Sequence, residues 1–197
     1  MNAPVEPGTD RSRAPIWILI TLFFASLLVA FALYYGGWRP SGATNHGELI
    51  DPPRPLPQVA LTSSSNAPLD PKLLQDKWTL VYIGEGRCGA RCREALTLMR
   101  QTRLALNDDL TRVQRVFLAT EPCCDQQYLE AEHAGLVTVK MDSPASVSLL
   151  EHFPDPQSGR IYIVDPLGNL MMNYAADAEP TGLLDDMKKL LKLSHIG

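Results

Sequence analysis

The 197-residue sequence lacks any run of Lys or Arg. Its 18 basic and 22 acidic residues are interspersed and leave a formal net charge of -4, so no stretch is built to track a phosphate backbone, which argues against nucleic acid as a partner. Internal repeats are missing, and the polar cluster "TSSSN" at Thr62 to Asn66 is a turn former, not the start of a low-complexity tract. Histidine and cysteine are scarce, with four of each, which limits where metal or thiol chemistry can reside. Between Ile16 and Tyr35 charge is absent altogether, and that segment also lacks a GxxxG pairing motif. The sequence therefore assigns no oligomeric state.

The uncharged stretch "IWILITLFFASLLVAFALYY" has the roughly 20 apolar residues that one helix needs to cross a bilayer. A cleavable secretory signal is the alternative, with Ala30-Phe31-Ala32 as a small-residue cleavage site. The uncleaved anchor is preferred, because the apolar run continues to Tyr35 and ends in Gly36-Gly37-Trp38, with an interfacial tryptophan. Arg11 and Arg13 before the span are matched by Arg39 and Arg54 after it, so charge alone leaves the orientation open. Either reading exports the bulk of the chain to a compartment where disulfides form.

Four segments follow: a tail, 1–15; a transmembrane helix, 16–35; a Pro/Gly-rich tether, 36–57; and one folded domain, 58–197. Within the domain, "TLVYIG" (Thr79 to Gly84) and "VQRVFLAT" (Val113 to Thr120) read as strands, and Ala90 to Leu106 reads as a helix between them. Helices are expected at Gln126 to His133 and Ala145 to His152, with a short strand at Leu136 to Met141. "RIYIVD", the turn "PLGN" and "LMMNY" form a hairpin, and an amphipathic helix from about Pro180 to Leu193 closes the chain. This order is that of an α/β sandwich with a central sheet between helices.

Cys88 and Cys92 stand in "RCGARC", where the first strand passes through a glycine turn into a helix. With the helix starting near Gly89, Cys88 falls at the cap and Cys92 one turn further on the same face, about 6 Å apart at Cα and so within reach of a disulfide. The helix N-terminus, with Arg87, Arg91 and Arg93 nearby, favours thiolates. Thiolates serve redox exchange and Cu(I) binding alike, and a copper site would call for a third soft or imidazole ligand. The remaining possibility is an inert bridge. Cys123 and Cys124 are adjacent at the end of the next strand, where a bridge between them requires a strained ring. They are expected as loop residues, or as recruits to the first pair.

Three blocks in order, "KWTLVYIGEGRCGARCREAL", "VQRVFLATEPCCD" and "RIYIVDPLGNLMMNY", resemble the Sco/SenC proteins, membrane-anchored copper chaperones of cytochrome c oxidase assembly. The resemblance implies a thioredoxin-like domain with a mixed sheet, held by its anchor on the periplasmic side of the inner membrane. It further implies copper as cargo and a copper-containing oxidase subunit as partner. Two positions depart from the family pattern. Arg93 replaces the proline after the second cysteine, and Gln157 occupies the place of the copper-binding histidine. Gln is a poor Cu(I) ligand, so His152, five residues upstream, is the candidate substitute beside Cys88 and Cys92. The competing reading of His152 is a helix C-terminal residue facing the dipole; His133 is expected to act similarly, and His46 and His195 to lie in the tether and near the C-terminus. Three functions remain: an oxidase assembly factor acting through Cys88 and Cys92, by thiol reduction or Cu(I) delivery; a general thiol-disulfide oxidoreductase with an exposed Cys88; or a non-catalytic scaffold.

Overall fold

A computed structural model describes residues 13–37, 45–121, 123–157, 159–175, 178–194 and 196. The chain divides between residues 43 and 44 into two units, each taken by itself. The first holds helix α1 (Ala14–Tyr35), with Pro15 in the opening turn, where a missing N–H costs nothing. It buries none of its residues and is long and apolar enough to cross a membrane.

The second unit contains strands β1 (Glu48–Pro55), β2 (Leu61–Ser63), β3 (Pro68–Leu69), β4 (Trp78–Glu85), β5 (Val113–Thr120), β6 (Leu136–Lys140), β7 (Ile161–Val164) and β8 (Asn169–Tyr174). Between and after them run α2 (Ala90–Leu104), α3 (Gln126–Glu132), α4 (Pro144–Leu150) and α5 (Pro180–Leu193). The strands form one mixed sheet in the order β1-β8-β7-β4-β5-β6-β2-β3. β4, β5 and β6 are parallel, and the remaining pairs are antiparallel. This is the central sheet flanked by helices that the sequence order predicts, and it is mixed, as the resemblance implies.

β4 lies between β5 and β7, and Trp78 to Ile83 are all buried. Burial on both faces is why it reads as an unbroken apolar run and not an alternating one. Its side chains still divide by parity. Leu80 and Tyr82 join a core with Leu96 and Met99 of α2 and Leu183, Met187 and Leu191 of α5. Val81 and Ile83 join a second core with Val116, Leu118, Leu149 and Tyr162. Each large apolar side chain taken from water contributes roughly 1.5–3 kcal/mol, so the two layers hold β4 from both sides.

Two expectations need correction. The tether is shorter than 36–57, because Glu48–Pro55 forms β1 on the outer side of β8. The strand is almost wholly exposed, carries three prolines and has a register shift between Leu49 and Arg54. An outermost strand tolerates proline because its outward N–H needs no ladder partner, and such a strand leaves no apolar alternation in the sequence. β2 and β3 were also not expected. They are three and two residues long; β2 takes in Thr62 and Ser63, and the rest of the cluster turns toward β3, with Asn66 at φ 63°.

The start of the domain is clamped by one buried carboxylate. Asp186 of α5 accepts hydrogen bonds from the N–H groups of His46 (2.7 Å) and Gly47 (2.9 Å) and from the Tyr174 hydroxyl (2.6 Å). Gly47 lies so close to the Tyr174 ring that an added Cβ would collide with it. Burial, together with Asp186, holds the Tyr174 phenol far above its ordinary value of 10.0. Folding therefore favours the neutral phenol, and its contribution is full below pH 10 and declines as the pH rises further. Asp186→Ala is expected to cost on the order of 3 kcal/mol by leaving these donors unpaired. It should also speed hydrogen exchange in Glu48–Pro55 before the rest of the sheet; equal exchange in mutant and wild type would show that the clamp does not hold β1.

Candidate functional site

β4 ends at Glu85, and the chain turns through Gly86 to Gly89 into α2. The Gly86 N–H donates to the Thr120 carbonyl, and the Gly86 carbonyl accepts from the Asp125 N–H, both at 2.9 Å. These bonds fasten the β4–α2 turn to the β5–α3 loop. The Cys88 N–H closes the turn on the Glu85 carbonyl (3.0 Å). Gly89 is the N-cap of α2, so Cys88 precedes the cap by one residue and Cys92 is the third helical residue. Cys88 has φ 47°, in the left-handed region that costs a residue other than glycine about 1–3 kcal/mol.

Cys88 and Cys92 are joined in a disulfide, with Cα atoms 5.0 Å apart. Both are buried, at 1% and 5% exposure, and both belong to the core under α2 and α5. The exposed Cys88 expected of a general oxidoreductase is therefore not found. Arg87 and Arg91 are exposed around the pair, and the first turn of α2 carries no acidic residue. The pair thus sits at the start of α2, between exposed positive charge and the apolar core.

Arg93 occupies the position where the Sco/SenC pattern has proline, and it binds the two loops together. Its Nε donates to the Cys88 carbonyl (3.1 Å), and its guanidinium faces the Asp125 carboxylate (3.5 Å) and lies 4.3 Å from the centre of the Tyr128 ring. Asp125 in turn caps α3, accepting from the Tyr128 N–H (3.3 Å). The sequence signal was the departure itself, a charged residue one position after the second cysteine.

The adjacent cysteines, Cys123 and Cys124, lie in the β5–α3 loop, as expected, with a cis peptide between them and Cα atoms 3.1 Å apart. Both are half-buried against the core that contains Cys88 and Cys92, and they line an open cleft of about 370 Å³ with Arg87 and Asp125. The expected proximity follows from register, since Glu85 pairs with Thr120 where β4 and β5 end.

The candidate metal ligands divide. Cys88 and Cys92 come together, whereas His152 sits in the turn after α4 with Nδ1 at 3.2 Å from the Ser148 carbonyl. Among the described residues, no group of three His, Cys, Asp or Glu side chains is placed to hold a metal ion. Gln157 is exposed in a turn. Two residues on, Gly159 has φ +69°, and an added Cβ there would lie 3.1 Å from Arg91 Cδ and 3.4 Å from the Tyr82 hydroxyl. The loop before β7 thus packs beside the start of α2, but its residue at the family's ligand position is an amide. Burial pushes the Tyr82 phenol beneath this contact up, against the opposing pull of Arg91.

The other histidines are accounted for. His133, expected at the surface, is only 2% exposed; it ends α3 with Nε2 at 2.9 Å from the Tyr128 hydroxyl. Burial and the neighbouring Arg115 hold its imidazole below the ordinary 6.5. A tyrosine five residues earlier was too weak a signal to reveal this in the sequence. His46 contributes its backbone to the Asp186 clamp, and His195 lies outside the described residues.

Residues 78–194 match a family described as transmembrane-like, thioredoxin-like, C-terminal domain. No curated protein matches the chain. Among solved structures, apo Sco1 from Thermus thermophilus is similar at 20% identity and a TM-score of 0.62, covering 77% of this chain and 99% of that one. Copper-bound ScoI from Bradyrhizobium japonicum is similar at 18% and 0.57, covering 70% and 99%. A secreted Mycobacterium tuberculosis disulfide oxidoreductase homologous to E. coli DsbE is similar at 18% and 0.52, covering 67% and 96%. At these identities the likeness is one of fold, and the fold is the thioredoxin-like one expected from the sequence.

Arg93→Ala removes the hydrogen bond to Cys88, the ion pair with Asp125 and the stacking on Tyr128. Local opening of the turn should become easier by about 1–2 kcal/mol. Reduction of Cys88–Cys92 by a small thiol, followed by alkylation and mass spectrometry, should then accelerate by roughly 5–30-fold. An unchanged rate would show that Arg93 does not guard the pair.

Proposed function

This chain belongs to the family of transmembrane-like, thioredoxin-like C-terminal domains, and from that premise we propose that it is a membrane-anchored thiol-redox factor of the Sco/SenC kind. Its client in this reading is the copper-binding subunit of a respiratory oxidase, and its working groups are Cys88 and Cys92. The single observation that carries the proposal is the disulfide between these residues at the β4–α2 junction of a thioredoxin-like frame.

The reduced pair would act on an oxidised client as follows. The Cys88 thiolate attacks one sulfur of the client disulfide, forming a mixed disulfide and releasing the other client sulfur as a thiolate. Cys92, deprotonated, then attacks Cys88, closing Cys88–Cys92 and freeing the second client sulfur. Two electrons pass to the client, which takes up protons to become a dithiol, ready to receive copper. The α2 N-terminus and the surrounding arginines stabilise the attacking thiolate.

Copper as cargo fits this donor set less well. Two sulfurs are present, but Gln157 stands at the third position and His152 is engaged with Ser148. A soft trigonal site would need one more donor. Thiol reduction of the client is therefore preferred to Cu(I) delivery. The burial of Cys88 also favours a dedicated client over a general oxidoreductase, because a small exposed nucleophile is what indiscriminate exchange requires.

Anaerobic titration of the reduced protein with Cu(I), against a strong chelator, separates the two mechanisms. The expected result is weak binding unaffected by His152→Ala, together with rapid reduction of an oxidised client peptide that Cys88→Ser abolishes. Tight 1:1 binding lost on Cys88→Ser would instead establish delivery. A Cys88→Ser, Cys92→Ser variant that still supports oxidase assembly would leave only a scaffold. Exported topology is part of the proposal: a reporter that works only outside the cytoplasm should be active when fused after residue 197 and silent if the domain faces inward.

A further inference from the structure

Away from the cysteines, three arginines meet at a cavity of about 240 Å³ formed by the second half of α2, β5 and the corner after α3. Arg115 lies on the same face of β5 as Val113, Phe117 and Ala119, which pack under α2 and α5. It is 2% exposed. Its Nη2 donates to the Ala134 carbonyl (2.7 Å), whereas Nε and Nη1 meet no hydrogen-bond partner among the described residues. Arg100 and Arg103 line the same cavity. Arg103 Nε donates to the Val113 carbonyl (2.6 Å), and Arg100 reaches the Glu132 carbonyl and lies 3.8 Å from its carboxylate.

The balance of charge is uneven. Three guanidinium groups line the space against one carboxylate, that of Glu132, and the other lining residues, Leu104, Ala131 and Ala134, carry none. Desolvation, assisted by Arg103 and Arg100, brings the Arg115 guanidinium down to about 10. Buried donors are ordinarily satisfied, and buried charges ordinarily paired. Neither condition is met here within the described chain.

We propose that this cavity binds an oxyanion of the phosphate class, held by Arg100, Arg103 and Arg115. Several planar guanidinium forks lining one cavity suit a group with oxygens on more than one side. The cavity has room for such a group, and its mouth is open where Arg100 and Glu132 are part-exposed. Arg115 and Thr120 are five residues apart on β5, about 16 Å at strand rise, so the site lies toward the opposite end of the sheet from the cysteine loops. Anion binding and thiol chemistry are therefore separable. The same chemistry is offered by free phosphate and by the phosphate of an anionic lipid headgroup.

The test uses the full chain in nanodiscs of phosphatidylcholine, with ionic strength held constant by sodium chloride. Inorganic phosphate should raise the thermal midpoint saturably. Arg100→Gln with Arg103→Gln, which leaves the buried Arg115 and its packing in place, should weaken the apparent affinity by about tenfold or more. Glu132→Gln should strengthen it, and the rate of Cys88–Cys92 reduction should be unchanged in both. Discs containing phosphatidylglycerol form the second arm. A rise seen only there, and lost in the double variant, assigns the site to a headgroup. No response to either phosphate source, or an equal response in the double variant, overturns the proposal.

Discussion

The hydrogen-bonded position of β4, parallel to β5 on one side and antiparallel to β7 on the other, is the constraint from which the rest follows. With both faces covered, the strand cannot slide by one residue without exchanging the two cores that its alternate side chains occupy. That fixed register delivers Glu85 opposite Thr120, and hence the β4–α2 turn against the β5–α3 loop. Two pairs of cysteines distant in sequence are thereby placed on one patch of core. No contact between the cysteines themselves is needed to bring them there.

What the sequence made legible was what tertiary packing reinforces. β5 and α5 have the bounds expected of them, because the apolar pattern in each is long and faces a core. The position of Cys88 and Cys92 at a strand-to-helix junction was readable for the same reason. β1 was not, since its eight residues gain their place from pairing with β8 and not from burial. Nor was the cis peptide between Cys123 and Cys124, which residue type does not announce. His133 was misplaced at the surface because its partner, Tyr128, marks it as buried only once α3 is folded.

Arginine performs unlike tasks at the two ends of the same sheet. At the cysteine end, Arg93 meets a carbonyl, a carboxylate and an aromatic face while remaining half exposed. At the other end, Arg115 is more deeply covered but less completely bonded. A net charge of -4 conceals both, because what matters is whether a cation has its complement within a few ångströms. Replacement of a helix-start proline by Arg93 thus exchanges backbone stiffness for a side-chain clasp, and the turn that holds Cys88 becomes dependent on α3.

The sheet is closed to newcomers at both sides. β1 presents Pro52, Pro53 and Pro55, and β3 is two residues long and begins with Pro68. Proline offers no N–H, so neither border can template a further strand along its length. A chain held in a bilayer by such a helix as α1 would be confined to a plane, where copies meet often. Borders of this kind keep such encounters from growing into stacked sheets. They also leave neither border suited to receiving a visiting polypeptide as an added strand.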